Sequence, residues 1–196
     1  MFKRMSTTAI LLVGLSLIIA AGSFAFTVLT REDAMKQVFF PGAVIETETK
    51  ELDAATLEKV KGQLGGALVF HGEGSEAKGD EASNKIEFIF AKKDGKRLGV
   101  AIIDSQPGKW GPVIFITTMN VQGVIKSVKV MEYSEVRGRP IARSSFLNQF
   151  NGKTVNSTLE VGKDIVGISG ATISSQAAVF SVKKCLALYS AVYLTK

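Results

Sequence analysis

The chain reads as an α+β protein, with an N-terminal transmembrane helix followed by a twisted antiparallel sheet packed with helices. Three observations predict this. No charged residue occurs between Arg4 and Arg31. Apolar residues alternate with polar ones from Ile86 to Met131 around two turn signals. An apolar stripe at helical spacing then runs from Val179 to Tyr193. A period of two is the mark of a half-buried strand, and one near 3.6 that of a helix with one buried face.

The charge-free run comes first. As an uninterrupted helix of about 26 residues at about 1.5 Å each, it exceeds the roughly 30 Å of bilayer hydrocarbon. Its core is Ile10, Leu11, Leu12, Val13, Leu15, Leu17, Ile18 and Ile19, and Gly14 and Gly22 offer close contact with neighbouring helices. Lys3 and Arg4 precede it, which keeps the short amino terminus cytoplasmic and sends the rest across, against a weaker opposing charge at Arg31. A cleaved signal peptide is the rival reading, with Ser23-Phe24-Ala25 as an imperfect site.

Glu32 to Phe40 reads as a helix continuing from the membrane segment as a stalk, stopped by Pro41-Gly42. Asp53 to Leu64 reads as a second helix, N-capped by Asp53 and ended by Gly65-Gly66. The two are expected to form a small subregion. From Lys85, Ile86, Phe88 and Phe90 alternate with polar residues, Asp94-Gly95 supplies a turn, and Leu98 to Ile103 returns. Val113 to Thr118 and Val124 to Met131 repeat the pattern around Asn120-Val121-Gln122-Gly123. A final helix from Ser174 to about Tyr193 presents Val179, Val182, Leu186, Tyr189 and Tyr193 to the sheet. The expected division is a cytoplasmic tip and anchor over 1–30, a helical stalk and subregion over 31–84, and a binding domain over 85–196.

Composition narrows the function. The 196 residues suit one membrane segment and one globular domain. The net charge of +6 is dispersed, not gathered into a basic stripe interleaved with aromatics, which argues against nucleic-acid binding. The single cysteine, Cys185, can form neither an internal disulfide nor a cluster or haem attachment, and falls among Val182, Leu186 and Tyr189 as a small core residue. The single histidine, His71, sits in a glycine-rich loop, so metal binding is not expected. Any redox centre here is organic. Gly152-Lys153-Thr154 is not a phosphate loop, because Leu147 stands where its first glycine belongs. Gly167-Ile168-Ser169-Gly170 lacks the closing glycine of a nucleophile elbow, the position being Ala171.

The run that carries chemistry is Ser169-Gly170-Ala171-Thr172, between the apolar Ile165, Val166 and Ile168 and the last helix. The first N–H groups of a helix lack intrahelical partners and lie at the positive end of its dipole, so a small-residue loop there suits a phosphate. The hydroxyl of Thr172 stands where a phosphate ester can form. The plain alternative is that Ser169 or Thr172 caps an ordinary helix.

At these residues the chain resembles the FMN-binding domain family: the G subunit of the Rnf electron transport complex, the C subunit of the sodium-pumping NADH:quinone oxidoreductase, and the flavin domain of the nitrous-oxide regulator. Lys163-Asp164 before the motif, Ile173-Ser174-Ser175 after it, and Ser145 to Lys153 share the likeness, which covers about residues 85 to 190. The resemblance implies FMN carried as a phosphoester on Thr172, installed from FAD by a flavin transferase, with Ser169, Gly170, Ala171, Ile173 and Ser174 around the cofactor. There are two departures. Many members have an Asp at the position of Val166, for which Asp164 is the substitute if any. Tyr133 to Arg139 replaces a Glu-Thr-Pro-Gly-Leu-Gly loop.

Near a flavin, a cation raises the reduction potential; Arg137 or Arg139 is a candidate for that role, for a phosphate clamp, or for a solvated loop. Glu135 shares that loop, and Trp110 is either a stacking partner for the ring or a core or loop anchor. The implied function is a membrane-anchored electron carrier among the other subunits of an ion-translocating respiratory complex, on the outer side of a prokaryotic cytoplasmic membrane. A membrane-attached flavin sensor or maturation factor, and a flavin-free structural module, are the alternatives.

Overall fold

The computed structural model describes residues 26–73, 83–134 and 139–194. Of the expected anchor, residues 1–25 lie outside these residues, as do Glu135 and Arg137, whereas 26–30 form a short strand and a helix cap and so correct the expected boundary at 30.

Among the described residues, six strands form one antiparallel sheet in the order β1-β6-β5-β4-β3-β2: β1 (Phe26–Thr27), β2 (Val44–Glu51), β3 (Lys85–Lys93), β4 (Lys96–Pro107), β5 (Pro112–Asn120) and β6 (Ile125–Tyr133). Both expected hairpins are present, β3–β4 turning at Asp94-Gly95 and β5–β6 at the Asn120–Gly123 turn. Asp94 and Gly95 both take positive φ, +51° and +76°, as a tight hairpin turn requires.

Alternation along each strand sorts side chains to two faces, and both are buried. Phe88, Phe90, Val100, Ile102, Val113 and Phe115 face one cluster; Ile89, Ala101, Ile116 and Met131 face the other. The first is covered by α2 (Ala54–Gln63), by α4 (Thr172–Tyr189) with a π-helical turn Ser190–Leu194, and by the segment carrying α3 (Ser144–Leu147). The second is covered by α1 (Arg31–Val38), whose Ala34 is fully buried.

This corrects the expected stalk. The chain pairs Phe26 and Thr27 with Tyr133 and Glu132 of β6, then starts α1 afresh at Thr30, whose hydroxyl accepts from the Asp33 N–H at 3.2 Å. A helix running on from the membrane would leave Ala34 in water and the α1 face of the sheet bare. Nor do α1 and α2 form a subregion together, since they pack on opposite faces. Asp53 does cap α2, accepting from the Thr56 N–H at 2.7 Å.

The helix Thr172–Leu194 is long and apolar enough to cross a membrane, but 61% of its apolar window is buried within the protein. Val182, Leu186 and Tyr189, the expected stripe, are 0%, 2% and 3% exposed. This is the central core helix.

Candidate functional site

The segment entering the motif is fastened at four points. Asp164 accepts from Lys153 Nζ at 2.8 Å and from the N–H groups of Leu159 and Glu160 at 3.1 and 2.8 Å. Burial works to raise this carboxyl, but the ammonium and the two N–H groups outweigh it and hold it at about 2. Asp164 is therefore committed to its own loop, where Leu159 takes an unfavourable φ of +46° while its side chain is 1% exposed. Next, the Gln149 carboxamide accepts from the Val166 N–H at 2.8 Å and donates to its carbonyl at 3.1 Å, leaving the Val166 side chain 74% exposed. Gly167 then passes so near Val161 that a Cβ would lie 2.8 Å from its Cγ1.

The last fastening is Ser175. Its hydroxyl accepts from the Ile168 N–H at 3.0 Å and donates to the Ala171 carbonyl at 2.9 Å, and its own N–H makes the first helical bond to that same carbonyl. Between them, Ile168 to Ala171 form a tight turn closed by Ala171 N–H to Ile168 O at 3.0 Å, with Gly170 at φ +77° in the position a type II turn reserves for glycine.

Thr172 thus opens α4 at a fixed place, exposed, with no hydrogen bond to its hydroxyl among the described residues. Ser169 is exposed too, and the N-cap is Ala171, which has no side-chain cap. Neither hydroxyl performs the capping that would explain it structurally. The N–H groups of Ser169, Gly170, Thr172 and Ile173 likewise have no acceptor among the described residues. Ser174 points inward, 1% exposed, and Ile173 packs beside Gly72, where a Cβ would lie 3.3 Å from its Cγ2. An exposed hydroxyl among unpaired N–H donors at a helix start fits a covalently held phosphate.

The helix runs antiparallel to β4: Phe180 faces Phe70 with ring centroids 5.9 Å apart, Lys184 pairs with Asp104, and Tyr189 donates to Val121 O. The start of α4 consequently lies toward the β4–β5 turn, which carries Trp110. That indole is 46% exposed with Lys109 Nζ 4.8 Å from its ring centroid, and no described contact joins it to residues 169–174. A buried polar chain, invisible in the sequence, crosses the core nearby: Lys184 Nζ donates to Asp104 Oδ1, Gln106 Nε2 donates to Asp104 Oδ2, both at 2.7 Å, and Gln106 Oε1 accepts from the Phe70 N–H at 2.8 Å.

Cys185 is fully buried and its thiol is pushed up by burial and by the Asp104 charge. His71 is exposed. Among the described residues no three metal-ligating side chains converge.

Comparisons with known proteins match this geometry. The family model of the FMN-binding domain matches residues 108–187, from the β4–β5 turn into the final helix. The fold is similar to the crystal structure of the C subunit of the Na(+)-translocating NADH-quinone reductase from Parabacteroides distasonis, at TM-score 0.52 and 17% identity over 84% of this chain and 85% of that one. Shewanella oneidensis NqrC matches at TM-score 0.46 and 14% identity over 78% of this chain and 80% of that one. No curated protein matches the sequence. Residues 108–187 of this chain, with the exposed threonine at the head of its core helix, are thus similar to the FMN-binding domain family.

Proposed function

We propose that this protein is a membrane-anchored electron-transfer flavoprotein that carries FMN as a phosphoester on Thr172, as a subunit of an Rnf-like or related ion-translocating respiratory complex. The observation that carries the proposal is the Thr172 hydroxyl: exposed and, among the described residues, without a hydrogen bond and set beside backbone N–H groups that have no acceptor, within the matched domain.

Attachment asks little of this chain. The Thr172 oxygen forms the bond to the FMN phosphorus of FAD, its proton passes to a base of the flavin transferase, the pyrophosphate linkage opens, and AMP leaves. Gly170, with nothing within 4 Å of a Cβ, keeps the approach open. Afterwards the N–H groups of Ser169, Gly170, Thr172 and Ile173 hold the phosphate oxygens, reinforced by the helix dipole. The turn stapled by Ser175 keeps those donors aimed, so no side-chain cation is required.

FMN supplies one- and two-electron transfer when bound. The protein's part is to retain and orient it, and a covalent link replaces the deep pocket that tight noncovalent binding would need. The apolar segment ahead of Phe26 serves as the anchor, placing the flavin domain on the extracytoplasmic side, and the other redox centres belong to partner subunits. Arg137, Glu135 and Trp110 are assigned to the flavin surroundings on sequence grounds.

Intact-mass spectrometry of the chain coexpressed with a flavin transferase tests the attachment. The expected mass is that of the chain plus FMN less one water, localised by fragmentation to Thr172. An unmodified mass with a transferase proven active on another substrate would contradict it.

A further inference from the structure

The β6 edge of the sheet is covered in two places and open between them. At one end Met131 O accepts from the Val28 and Leu29 N–H groups at 2.8 and 3.0 Å. At the other, Ile125 donates to Lys153 O and accepts from the Gly152 N–H, both at 2.9 Å. The stretch between them lines a groove of about 300 Å³. Its walls come from both layers, Leu29 and Gln37 on the α1 side and Ala142, Ser144 and Leu147 on the α3 side.

One contact fixes which way this stretch points its hydrogen-bonding groups. Ser127 O takes the Thr118 hydroxyl at 3.0 Å and so faces β5. Successive residues of a strand turn their N–H and C=O to opposite sides, and the register runs without a break from Ser127 to Val130. Val128 and Val130 therefore turn theirs away from β5, into the groove. None of these four groups has a partner among the described residues, although Val128 and Val130 are only 4% and 3% exposed. Buried backbone donors and acceptors are almost always paired, and an unpaired strand edge is a template for another strand.

We infer that this groove takes an extended segment of a partner protein as an added strand on β6, with the sequence apolar–acidic–apolar at its centre. The inference stands apart from the reading of Thr172. Length follows from the register: Lys126 and Met131 are extra residues against β5, and such bulges interrupt the regular edge, leaving Val128 to Val130 for pairing. Side-chain preference follows from alternation. Residues opposite Val128 and Val130 turn toward Ala142 and Leu147, where apolar groups are buried. The residue between them stands opposite Lys129, on the Gln37 side. Among the described residues Lys129 is the one charged side chain lining the groove and has no ion-pair partner, so a carboxylate matches it. The same lysine argues against a second copy of this chain. Two β6 edges paired about a two-fold axis through the groove would set Lys129 against Lys129, and like charges directly opposite are destabilising.

The test uses the full chain, coexpressed with a flavin transferase, isotope-labelled for NMR and purified in detergent. The probe is the peptide acetyl-Thr-Val-Glu-Val-Thr-amide, and its counterpart with lysine in place of glutamate is the control. At millimolar glutamate peptide the Val128 and Val130 amide resonances should shift downfield and their hydrogen exchange should slow severalfold, while those of the opposite edge strand β2 stay unchanged. Lys129→Glu, at a half-buried position, should weaken the glutamate peptide about tenfold and reverse the preference between the two peptides. Absent shifts, shifts on β2 instead, or an affinity indifferent to Lys129→Glu would overturn the inference. So would slow exchange at Val128 and Val130 before any peptide is added, whether in a monomer whose own chain fills the groove or in a dimer detected by sedimentation. Flavinylation of Lys129→Glu, read by intact mass, should match the wild type, so failure here leaves the attachment reading standing.

Discussion

Replacing Lys184 by methionine keeps most of the methylene stem but removes a buried cation. Its ammonium lies 2.7 Å from Asp104 Oδ1, with the two side chains 10% and 8% exposed. The substitution strands a carboxylate whose other oxygen is already engaged by Gln106. Removing one partner of such a pair costs about 3–5 kcal/mol, because the remaining charge stays buried without compensation. Methionine recovers some packing, so the lower end, about 3 kcal/mol, is expected, a large share of the roughly 5–15 kcal/mol that holds an ordinary domain together. The double variant Lys184→Met/Asp104→Leu removes both charges and leaves only Gln106 Nε2 without an acceptor, at about 1–3 kcal/mol. The double should therefore be no less stable than Lys184→Met alone. The assay is urea unfolding at pH 7 followed by circular dichroism, with the two single variants and the double closing a cycle. A loss under about 1 kcal/mol in Lys184→Met, at unchanged m-value, would refute the claim that the pair is desolvated and mutually dependent.

Three further outcomes follow from the same geometry. Gly170→Ala meets no steric obstacle at Cβ but must hold φ +77°, so it should lose about 1–2 kcal/mol, read as a lower melting temperature; an unchanged one would show that the turn is not held in that conformation. Ser175→Ala leaves the part-buried Ile168 N–H bond unmade at about 1 kcal/mol and should also lower the fraction of chains flavinylated, measured by intact mass; full flavinylation would show that the staple does not aim the donors. Asp164, held at about 2 in the fold against about 3.9 when unfolded, contributes stability that is present above about pH 4 and lost as pH falls toward 2. Allowing for solvent screening this is about 1 kcal/mol, so Asp164→Asn should be less stable than wild type at pH 7 and converge with it near pH 2. Parallel acid titrations would show no effect if the Lys153 and N–H contacts did not favour the charged carboxyl.

Much of the fold was legible because one strand pair after another announces itself. Phe88 and Phe90 alternate with polar residues before Asp94-Gly95, and Asn120 to Gly123 marks the second turn. The final stripe from Val179 needs no tertiary knowledge to be read as a helix packing on that sheet. What escaped was decided at long range. Val44–Glu51, alternating Glu46, Thr47, Glu48, Thr49, is a strand only because β3 offers it a partner edge; Glu46 and Glu48, half-buried in ion pairs with Lys92 and Arg97, give no sign of a core. The stalk failed for a related reason: nothing local in Glu32 to Phe40 shows that a second sheet face needs covering. At the site, Ser169 to Thr172 could be found from small residues before a helix, whereas Ser175 and Gln149 could not, since their partners are backbone atoms of the loop itself. The Lys184–Asp104–Gln106 chain was hidden most completely, joining residues 80 apart in sequence.

Flavin fluorescence after denaturing electrophoresis puts the central claim to its plainest test. The chain, Thr172→Ser and Thr172→Ala would each be coexpressed with a flavin transferase shown to be active. A fluorescent band in the wild type that is retained, weaker or equal, in Thr172→Ser and absent in Thr172→Ala is the expected result. A dark wild-type band, or an equally bright Thr172→Ala band, would contradict the assignment of Thr172 as the residue that carries FMN.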